Sequence, residues 1–240
     1  QGGETPFTMN LSLVAADRPV TSFAGVTTTN VFPGAPVLLC REILTSADAV
    51  GGVLINNKVA NVGVPGGVDD ARTLVGSLGD VSGIVPWFSL STGVIGWRLP
   101  VPEMIEAIPN LYAGRHSAAG AEIARAIMTT DRYPKLKRLE VGSGSLLGVA
   151  KGAGMIEPKM ATMLSVILTD LRLPKERLSL LLRKAVDQSF NRISVDGEQS
   201  TSDVVLLLAS GVAGEATESE FLDALSEVTG TLSREVVRNG

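Results

Sequence analysis

Two residue types that carry much of enzyme chemistry are almost missing from this sequence, which has one histidine, His116, and one cysteine, Cys40. A single cysteine cannot form an internal disulfide, and its place after the apolar run 37–39 favours a buried, inert thiol. One cysteine and one histidine are also too few preferred ligands for a zinc site. His116 stands before Ser117, a candidate helix N-cap, so we interpret it as a loop residue and not as a catalytic base.

Other absences exclude two classes of binding protein. The net charge of −4 gives no electrostatic footprint for nucleic acid. The densest basic group, at 132–138, contains one aromatic residue and is interpreted as a solvated turn. No apolar run approaches the ~18 residues that would span a bilayer, so we expect no membrane association. No glycine-rich run has the spacing of a phosphate-binding loop, and Gly142-x-Gly144 falls in a probable hairpin.

What is present indicates a globular α/β protein. Hydrophobic residues make up 45% of the 240 residues and charged residues 19%, which disfavours disorder. No internal repeat or low-complexity linker divides the chain, so we expect a single domain over 1–240. Aromatics reach only 4%, and 26 glycines indicate many close backbone contacts.

Hydrophobic periodicity predicts alternating strands and helices. The segments 7–16 and 22–29 are β-rich and are joined by Asp17-Arg18-Pro19, a turn signal that predicts a hairpin. Further predicted strands are 53–56, 136–141, 145–150, 163–169 and 204–209. Predicted helices are 41–49, after the apolar run 35–40, then 69–78, 117–128, 174–190 with Pro174 in its first turn, and 218–237 with a break near Gly230. The order predicts mixed β-sheets covered by helices.

The most informative segment, residues 148–164, reads GVAKGAGMIEPKMATML. A glycine-rich loop containing Lys151 leads to the junction Ala161-Thr162 and then directly to a buried strand. If the peptide bond before Thr162 broke, this residue would carry a hydroxyl and an α-amine of pKa ~7.7–8.0, which can act as a base without histidine. Physical reasoning alone leaves the alternative of an ordinary connection that ends in a β-branched residue.

The same segment closely resembles the self-processing site of the ornithine acetyltransferase family, also called glutamate N-acetyltransferases. That pattern is Ala-Lys-Gly-x-Gly-Met-Ile-x-Pro-x-Met-Ala-Thr-Met-Leu. Three further segments resemble the family in the same order: 91–96 (STGVIG), 126–131 (AIMTTD) and 189–201 (SFNRISVDGEQST). The resemblance spans nearly the whole chain. It implies the layered fold of the family, an αββα-type sandwich in which β-sheets lie between helices.

The resemblance implies a role for each matching residue. Thr162 would be the nucleophile, first in self-cleavage between Ala161 and Thr162 and then in acetyl transfer. Cleavage would divide the chain into 1–161 and 162–240. Thr92 and Gly93 would stabilise the oxyanion of the tetrahedral intermediate.

Substrate contacts follow from the resemblance in the same way. Thr130 and Lys151 would bind the substrate together with Thr162, and Lys151 suits an α-carboxylate. Asp196 and Asn191 would only order their loop.

The implied reaction is acetyl transfer from N-acetylornithine to glutamate, a step of arginine biosynthesis, with no metal and no tightly held cofactor. Some family members also accept acetyl-CoA as the donor. The two fragments are expected to pair and oligomerise. Bacterial members are cytoplasmic and fungal members mitochondrial, so the cytoplasm or the mitochondrial matrix is expected.

Three features depart from the family pattern. Family members continue beyond the position of Gly240 with an acidic substrate contact and an Asn/Thr pair, so the site in these residues is expected to be incomplete. Residues 56–61 read NNKVAN in place of NSGNAN. Glu198-Gln199 and Ser202 stand where Asp-Thr and Asn are commoner, which bears on substrate range.

Two other functions stay open on the sequence. One is an amidase or aminopeptidase that uses the same N-terminal threonine, with water as the acceptor. The other is a truncated, unprocessed homologue that only binds an amino acid or a partner subunit.

Overall fold

The computed structural model describes residues 8–117, 120–154 and 163–240, and the fold is built from these. The elements in chain order are β1 Leu11–Val20, β2 Ser22–Thr27, α1 Ala35–Ser46, β3 Val50–Asn56, α2 Gly67–Ser82, β4 Phe88–Ser91, α3 Val101–Ala113, α4 Ala121–Ala126, β5 Lys135–Val141, β6 Gly144–Lys151, β7 Leu164–Leu171, α5 Lys175–Gln188, a 3-10 turn Phe190–Arg192, β8 Val204–Gly214 and α6 Glu218–Asn239.

The strands form two sheets. The first has three strands in the order β1-β3-β4, and the second has five in the order β2-β8-β7-β6-β5. The pairs β3–β4 and β7–β8 are parallel, and the remaining pairs are antiparallel. The predicted mixed sheets are therefore confirmed.

Side-chain alternation along β8 shows how the layers stack, because successive residues of a strand point to opposite faces. Val204, Leu206 and Leu208 pack into the core shared with β3, β4 and helices α1 to α3. Val205 and Leu207 pack on the other side, against α5 and α6. The order helices, sheet, sheet, helices is the expected αββα sandwich, so the predicted fold class is confirmed.

The predicted hairpin between the first two strands is wrong. β1 pairs with β3 in the first sheet, whereas β2 pairs with β8 in the second. Residues 17–19 lie inside β1, where the register with β3 shifts between Ala15 and Val20. Pro19 has no N–H to donate to a neighbouring strand. It is tolerated there because β1 is an edge strand and because no ladder hydrogen bond is required at the bulge. The chain crosses between sheets after Val20.

Several helix boundaries also differ from the predictions. The apolar run from Ala35 is the first turns of α1, which begins at a proline-containing turn and not at residue 41. Pro174 is the N-cap of α5 and lies just before its first turn. In the described part of the chain, α4 begins at Ala121 after Gly120, so Ser117 is not its cap.

Helix α6 runs unbroken through Gly230, contrary to the predicted break. A capping box formed by Thr217 and Glu220 starts the helix. A glycine inside a helix costs about 1 kcal/mol relative to alanine. The buried stripe of α6, which includes Phe221, Leu225 and Leu232, outweighs that cost.

Candidate active site

The strand ends that carry the family motifs meet at one end of the sandwich. The carboxyl ends of β3, β4 and β6 and the amino ends of β7 and β8 lie there, at Asn56, Ser91, Lys151, Leu164 and Val204. Within the second sheet, Lys151 pairs with Leu164 and Leu164 pairs with Val204, so three strands place residues in one row. We call this region, defined by those five residues, the site end.

Thr92 and Gly93 leave β4 at the site end. The N–H of Thr92 donates to the Asn56 carbonyl (3.1 Å), and Val94 N–H donates to the Lys58 carbonyl (2.8 Å). Gly93 has φ +131°, and a side chain there would overlap the Lys58 backbone. Its N–H has no acceptor in the described part of the chain. Since the Thr92 amide is engaged, the Gly93 amide and the Thr92 hydroxyl are the donors suited to an oxyanion.

Two asparagines at the end of β3 connect this turn to the end of α4 and the residues after it. Asn56 Oδ1 accepts a hydrogen bond from the Ser91 hydroxyl (2.6 Å). Asn57 Nδ2 donates to the carbonyls of Ala126 (3.2 Å) and Met128 (3.0 Å). Both side chains are buried. The departure from the family pattern at 56–61 therefore fixes the position of the segment that leads to Thr130.

Asp131 is the hub of that segment. Its carboxylate accepts from Thr129 N–H (3.1 Å), from Gly152 N–H (2.8 Å) and from the ammonium of Lys135 (2.6 Å). Burial on its own raises the pKa of Asp131, but the three donors together hold it below its usual value. Thr130 is exposed between these contacts. The Thr130 turn is thereby tied to the residue after Lys151.

The predicted solvated turn at 132–138 is wrong, because residues 135–138 lie in strand β5 and Lys135 is not solvated. Its side chain is fully buried in the ion pair with Asp131 and lies 5.3 Å from the Tyr133 ring centroid. The charge pattern alone could not distinguish it from Lys137, which is only partly buried and pairs with Glu227. Lys135 is the buried one because it lies at the start of β5, beside the Asp131 carboxylate, a position that the charge pattern does not reveal.

Lys151 closes β6 and is 4% exposed. Burial lowers its pKa, the charges of Asp131 and Asp203 raise it, and Lys135 lowers it further. A buried lysine with nearby carboxylates can accept an anionic ligand group, because the ligand supplies the charge compensation that water cannot. The prediction of Lys151 as a substrate contact is consistent with this position and stays a prediction.

Asp203 is a residue that the sequence interpretation missed. It lies just before β8, is 0% exposed, and accepts the N–H of Met163 at 2.6 Å. Burial raises the pKa of Asp203 to about 8, against the lowering effects of Met163 N–H, the Ser200 hydroxyl and the Lys151 charge. The sequence feature that could have identified Asp203 is its position two residues after Thr201, where the family signature ends.

The two residues of the predicted cleavage site, Ala161 and Thr162, lie outside the described residues. The structure does describe Met163, which follows Thr162 in the chain. Hydrogen bonds of Asn56, Asn57 and Asp131 link Thr92 to the residues beside Thr130 and Lys151, namely Thr129 and Gly152.

The two residues excluded as catalytic are placed as expected. His116 is exposed, and its Nε2 lies 3.2 Å from a Glu122 carboxylate oxygen. Cys40 is buried in α1. None of the described helices is both long and apolar enough to cross a membrane.

Comparison with known proteins extends these observations to the whole chain. The model of the ArgJ family matches residues 4–240. Arginine biosynthesis bifunctional protein ArgJ of Nitratidesulfovibrio vulgaris is 41% identical over 242 residues, which cover 96% of this chain and 61% of the relative. The mitochondrial ArgJ protein of Talaromyces marneffei is 40% identical over 253 residues, with 96% and 54% covered.

A solved structure is similar as well. The crystal structure of the ArgJ protein from Bacillus halodurans superposes with a TM-score of 0.51 at 25% identity, covering 64% of this chain and 82% of that one. The chain spans 61% and 54% of the length of the two curated relatives. The family resemblance carried by the motifs is confirmed, and the chain belongs to the ArgJ family.

Proposed function

We propose that this protein transfers an acetyl group from N-acetylornithine to glutamate through an acyl intermediate on Thr162. The observation that carries the proposal is the convergence of Lys151, the Thr130 turn and Met163 at the site end. Hydrogen bonds through Asn57 and Asn56 link the Thr130 turn to Thr92, the neighbour of Gly93. The names of the relatives place them in arginine biosynthesis, which supports this substrate class.

Self-cleavage prepares the nucleophile. The Thr162 hydroxyl oxygen attacks the carbonyl carbon of Ala161, the carbon–nitrogen bond between the two residues breaks, and the hydroxyl proton ends on the nitrogen. Water then hydrolyses the ester and restores the hydroxyl. Thr162 gains a free α-amine, whose pKa of ~7.7–8.0 suits a base near neutral pH.

Acetyl transfer then occurs in two halves. The Thr162 hydroxyl attacks the acetyl carbonyl while its amine takes the proton, and ornithine leaves with the proton on its nitrogen. The amine of glutamate attacks the acyl-threonine and reverses these steps. Only the acetyl carbonyl reacts, so donor and acceptor use one amino-acid pocket in turn. Lys151 binds the α-carboxylate that both share, and Thr130 lines the pocket.

Gly93 and Thr92 stabilise the negative charge that develops on the acetyl oxygen. The rigid turn around Gly93 supports this role, because a donor held in place before the reaction needs no reorganisation during it. Losing one such donor slows turnover by ~100-fold or more.

The two fragments stay associated after cleavage. β7 and β8, from 162–240, lie between β2 and β6, from 1–161, within one sheet. Separation would break the β6–β7 and β2–β8 ladders and expose the core under α6. We infer a tightly paired product, and further oligomerisation is part of the same proposal.

The hydroxyl and amine of Thr162 complete the proton transfers, so the proposed reaction requires no metal or tightly held cofactor. Acetyl-CoA is proposed as a second acetyl donor. The location is proposed as the cytoplasm in a bacterium or the mitochondrial matrix in a fungus.

The first test is the intact mass of the denatured protein beside Thr162→Ala and Thr162→Ser variants. Two fragments that meet at 161/162 are expected in the parent and in Thr162→Ser, which keeps the hydroxyl. A single mass is expected in Thr162→Ala. A single mass in the parent would overturn the self-cleaved nucleophile and favour a protein that only binds.

The second test separates transfer from hydrolysis. N-acetylornithine is supplied with and without glutamate, and ornithine, acetate and N-acetylglutamate are measured. The proposal expects ornithine release to depend on glutamate, with N-acetylglutamate formed in equal amount. Ornithine and acetate formed at the same rate without glutamate would instead identify an amidase. Replacing N-acetylornithine by acetyl-CoA tests the second donor.

A further inference from the structure

Met163 is held through both of its backbone groups by two consecutive residues. Its N–H donates to Asp203 Oδ1 at 2.6 Å, and its carbonyl accepts Val204 N–H at 3.2 Å. The nitrogen in the first contact belongs to the peptide bond that joins Thr162 to Met163. Asp203 therefore contacts the amide on the carboxyl side of the proposed nucleophile.

Packing does not explain a carboxylate at this place. Asp203 is 0% exposed, and its second oxygen, Oδ2, is buried without a hydrogen-bond partner among the described residues. The Ser200 hydroxyl is near enough to lower the pKa of the carboxyl, but it makes no hydrogen bond with Oδ2. An unpartnered buried oxygen is costly, and native proteins contain few of them. Asp203 itself is anchored: its carbonyl accepts Thr28 N–H at 2.9 Å, and Val204 begins β8 next to β7. The backbone of Asp203 is therefore held in a fixed position, from which its side chain reaches Met163.

We propose that Asp203 positions the nucleophile, with Oδ1 holding the amide after Thr162 and Oδ2 accepting the α-amine that cleavage frees on Thr162. This inference rests on the proposed function. The two nitrogens are three bonds apart, which limits their separation to about 3.6 Å. A carboxylate bound to one is therefore within reach of the other.

The consequence is a defined orientation of the base. An amine that donates one proton to Oδ2 keeps its lone pair for the hydroxyl of the same residue. Once the amine is free, an ammonium beside Oδ2 lowers the pKa of Asp203, so the pair is a carboxylate and an ammonium. The negative charge in turn raises the pH at which the amine becomes an active base. This role explains why Oδ2 of Asp203 has no partner among the described residues.

The test compares the parent with Asp203→Ala and Asp203→Asn in the full-length protein, and with Asp170→Ala as the matched control. Asp170 accepts Ser145 N–H at 2.6 Å, which is the same kind of bond at the opposite end of the same sheet. Self-cleavage is followed by intact mass, folding by circular dichroism, and acetyl transfer as kcat/KM against pH.

The expected results separate the two oxygens. Asp203→Ala slows cleavage by about tenfold or more, because the amide after Thr162 is released. Asp203→Asn keeps an acceptor for Met163 and cleaves, but its acid limb of kcat/KM moves down by about one pH unit, since the charge beside the amine is gone. Asp170→Ala cleaves at the parental rate.

Three outcomes overturn the inference, and each has its own meaning. If folded Asp203→Ala is cleaved at the parental rate, Oδ1 does not position the nucleophile for cleavage. An unchanged acid limb in Asp203→Asn removes the role of Oδ2, and this result stands even if the alanine variant fails to fold. If the parent itself stays uncleaved, both the proposed function and this inference are wrong.

Discussion

The two ends of the sheet sandwich differ in what they bury. The site end holds four charged side chains that are at most 4% exposed: Lys135, Lys151, Asp203 and, in its side chain, Asp131. The opposite end has a cavity of about 330 Å³ between the sheets, lined largely by apolar residues such as Val14, Leu147 and Leu208. None of the candidate site residues that the structure describes lines that cavity.

This difference is informative because the two features have different energetic costs. An apolar cavity forfeits packing contacts, whereas a buried charge needs compensation for the water it has lost. Hydrophobic residues of similar volume are often as stabilising as a buried ion pair, so a buried ion pair adds little to the stability of the fold. The charges at the site end are better explained by chemistry than by folding.

The largest expected effect comes from breaking the buried ion pair of the site end. Asp131→Ala leaves the Lys135 ammonium buried without its carboxylate and releases Thr129 and Gly152. Removing one partner of a buried pair costs about 3–5 kcal/mol. Urea unfolding should show this loss of stability, together with loss of acetyl transfer from any protein that remains folded.

The matched comparison is an exposed pair at the other end. Arg177 and Glu218 join the first turns of α5 and α6, and both are about half exposed. Exposed pairs contribute little, so Arg177→Met should leave the urea midpoint unchanged. Equal losses in the two variants would show that burial does not distinguish the two ends.

The second prediction compares two glycines of positive φ, one at each end. Alanine at Gly93 (φ +131°) would overlap the Lys58 backbone, whereas alanine at Gly211 (φ +69°) would find its nearest neighbour, in Arg172, at 3.7 Å. Both variants carry a backbone strain of about 1–3 kcal/mol. Gly93→Ala should in addition displace the turn and reduce kcat by ~100-fold or more. Thermal unfolding and steady-state rates check both effects, and full activity in Gly93→Ala would remove Gly93 from the oxyanion site.

The sequence was sufficient for features that local patterns determine. Continuous apolar, β-forming runs located β7 and β8, helical spacing located α5 and α6, and the motifs located Thr92, Gly93, Thr130 and Lys151 as candidates. The confirmed hairpin of β5 and β6 across Ser143 is equally local. In each case the residues that determine the structure are close in the chain.

Long-range contacts are what the sequence could not reveal. Asp203 meets Met163 across 40 positions, and Asn57 meets Met128 across 71. Whether β2 follows β1 in one sheet or crosses to the other depends on its pairing with β8, far along the chain. Lys135 looked like its solvated neighbours because its burial is set by Asp131 and by β5, not by its own type.

The third prediction is a smaller effect, on stability against pH. Burial raises the pKa of Asp203 from 3.8 to about 8. Between those values the unfolded chain releases this proton while the folded chain retains it, so stability falls as pH rises through that window. In the uncleaved Thr162→Ala background, where no α-amine is freed, the protein with Asp203 should therefore lose stability between about pH 4 and pH 8 relative to the same protein carrying Asp203→Asn.

Denaturant unfolding at several pH values measures that difference. The lowered pKa of Lys151 acts in the opposite direction at higher pH, since the folded lysine releases its proton before the unfolded one does. Lys151, Asp131 and Lys135 are present in both proteins, so the comparison centres on Asp203. Parallel curves for the two proteins from pH 4 to pH 8 would contradict the burial of an ionisable carboxyl at this position.

The smallest expected effect concerns Cys40, a buried group away from both ends. Burial raises the pKa of its thiol to about 12, and the neighbouring Arg41 only partly offsets this. Because the thiolate is the reactive form, a thiol reagent at pH 8 should label the folded protein hardly at all and the urea-unfolded protein at once. Rapid labelling with an intact circular dichroism spectrum would show that α1 opens locally. Slow labelling would mean that the core around α1 stays closed and that Cys40 is an ordinary buried thiol.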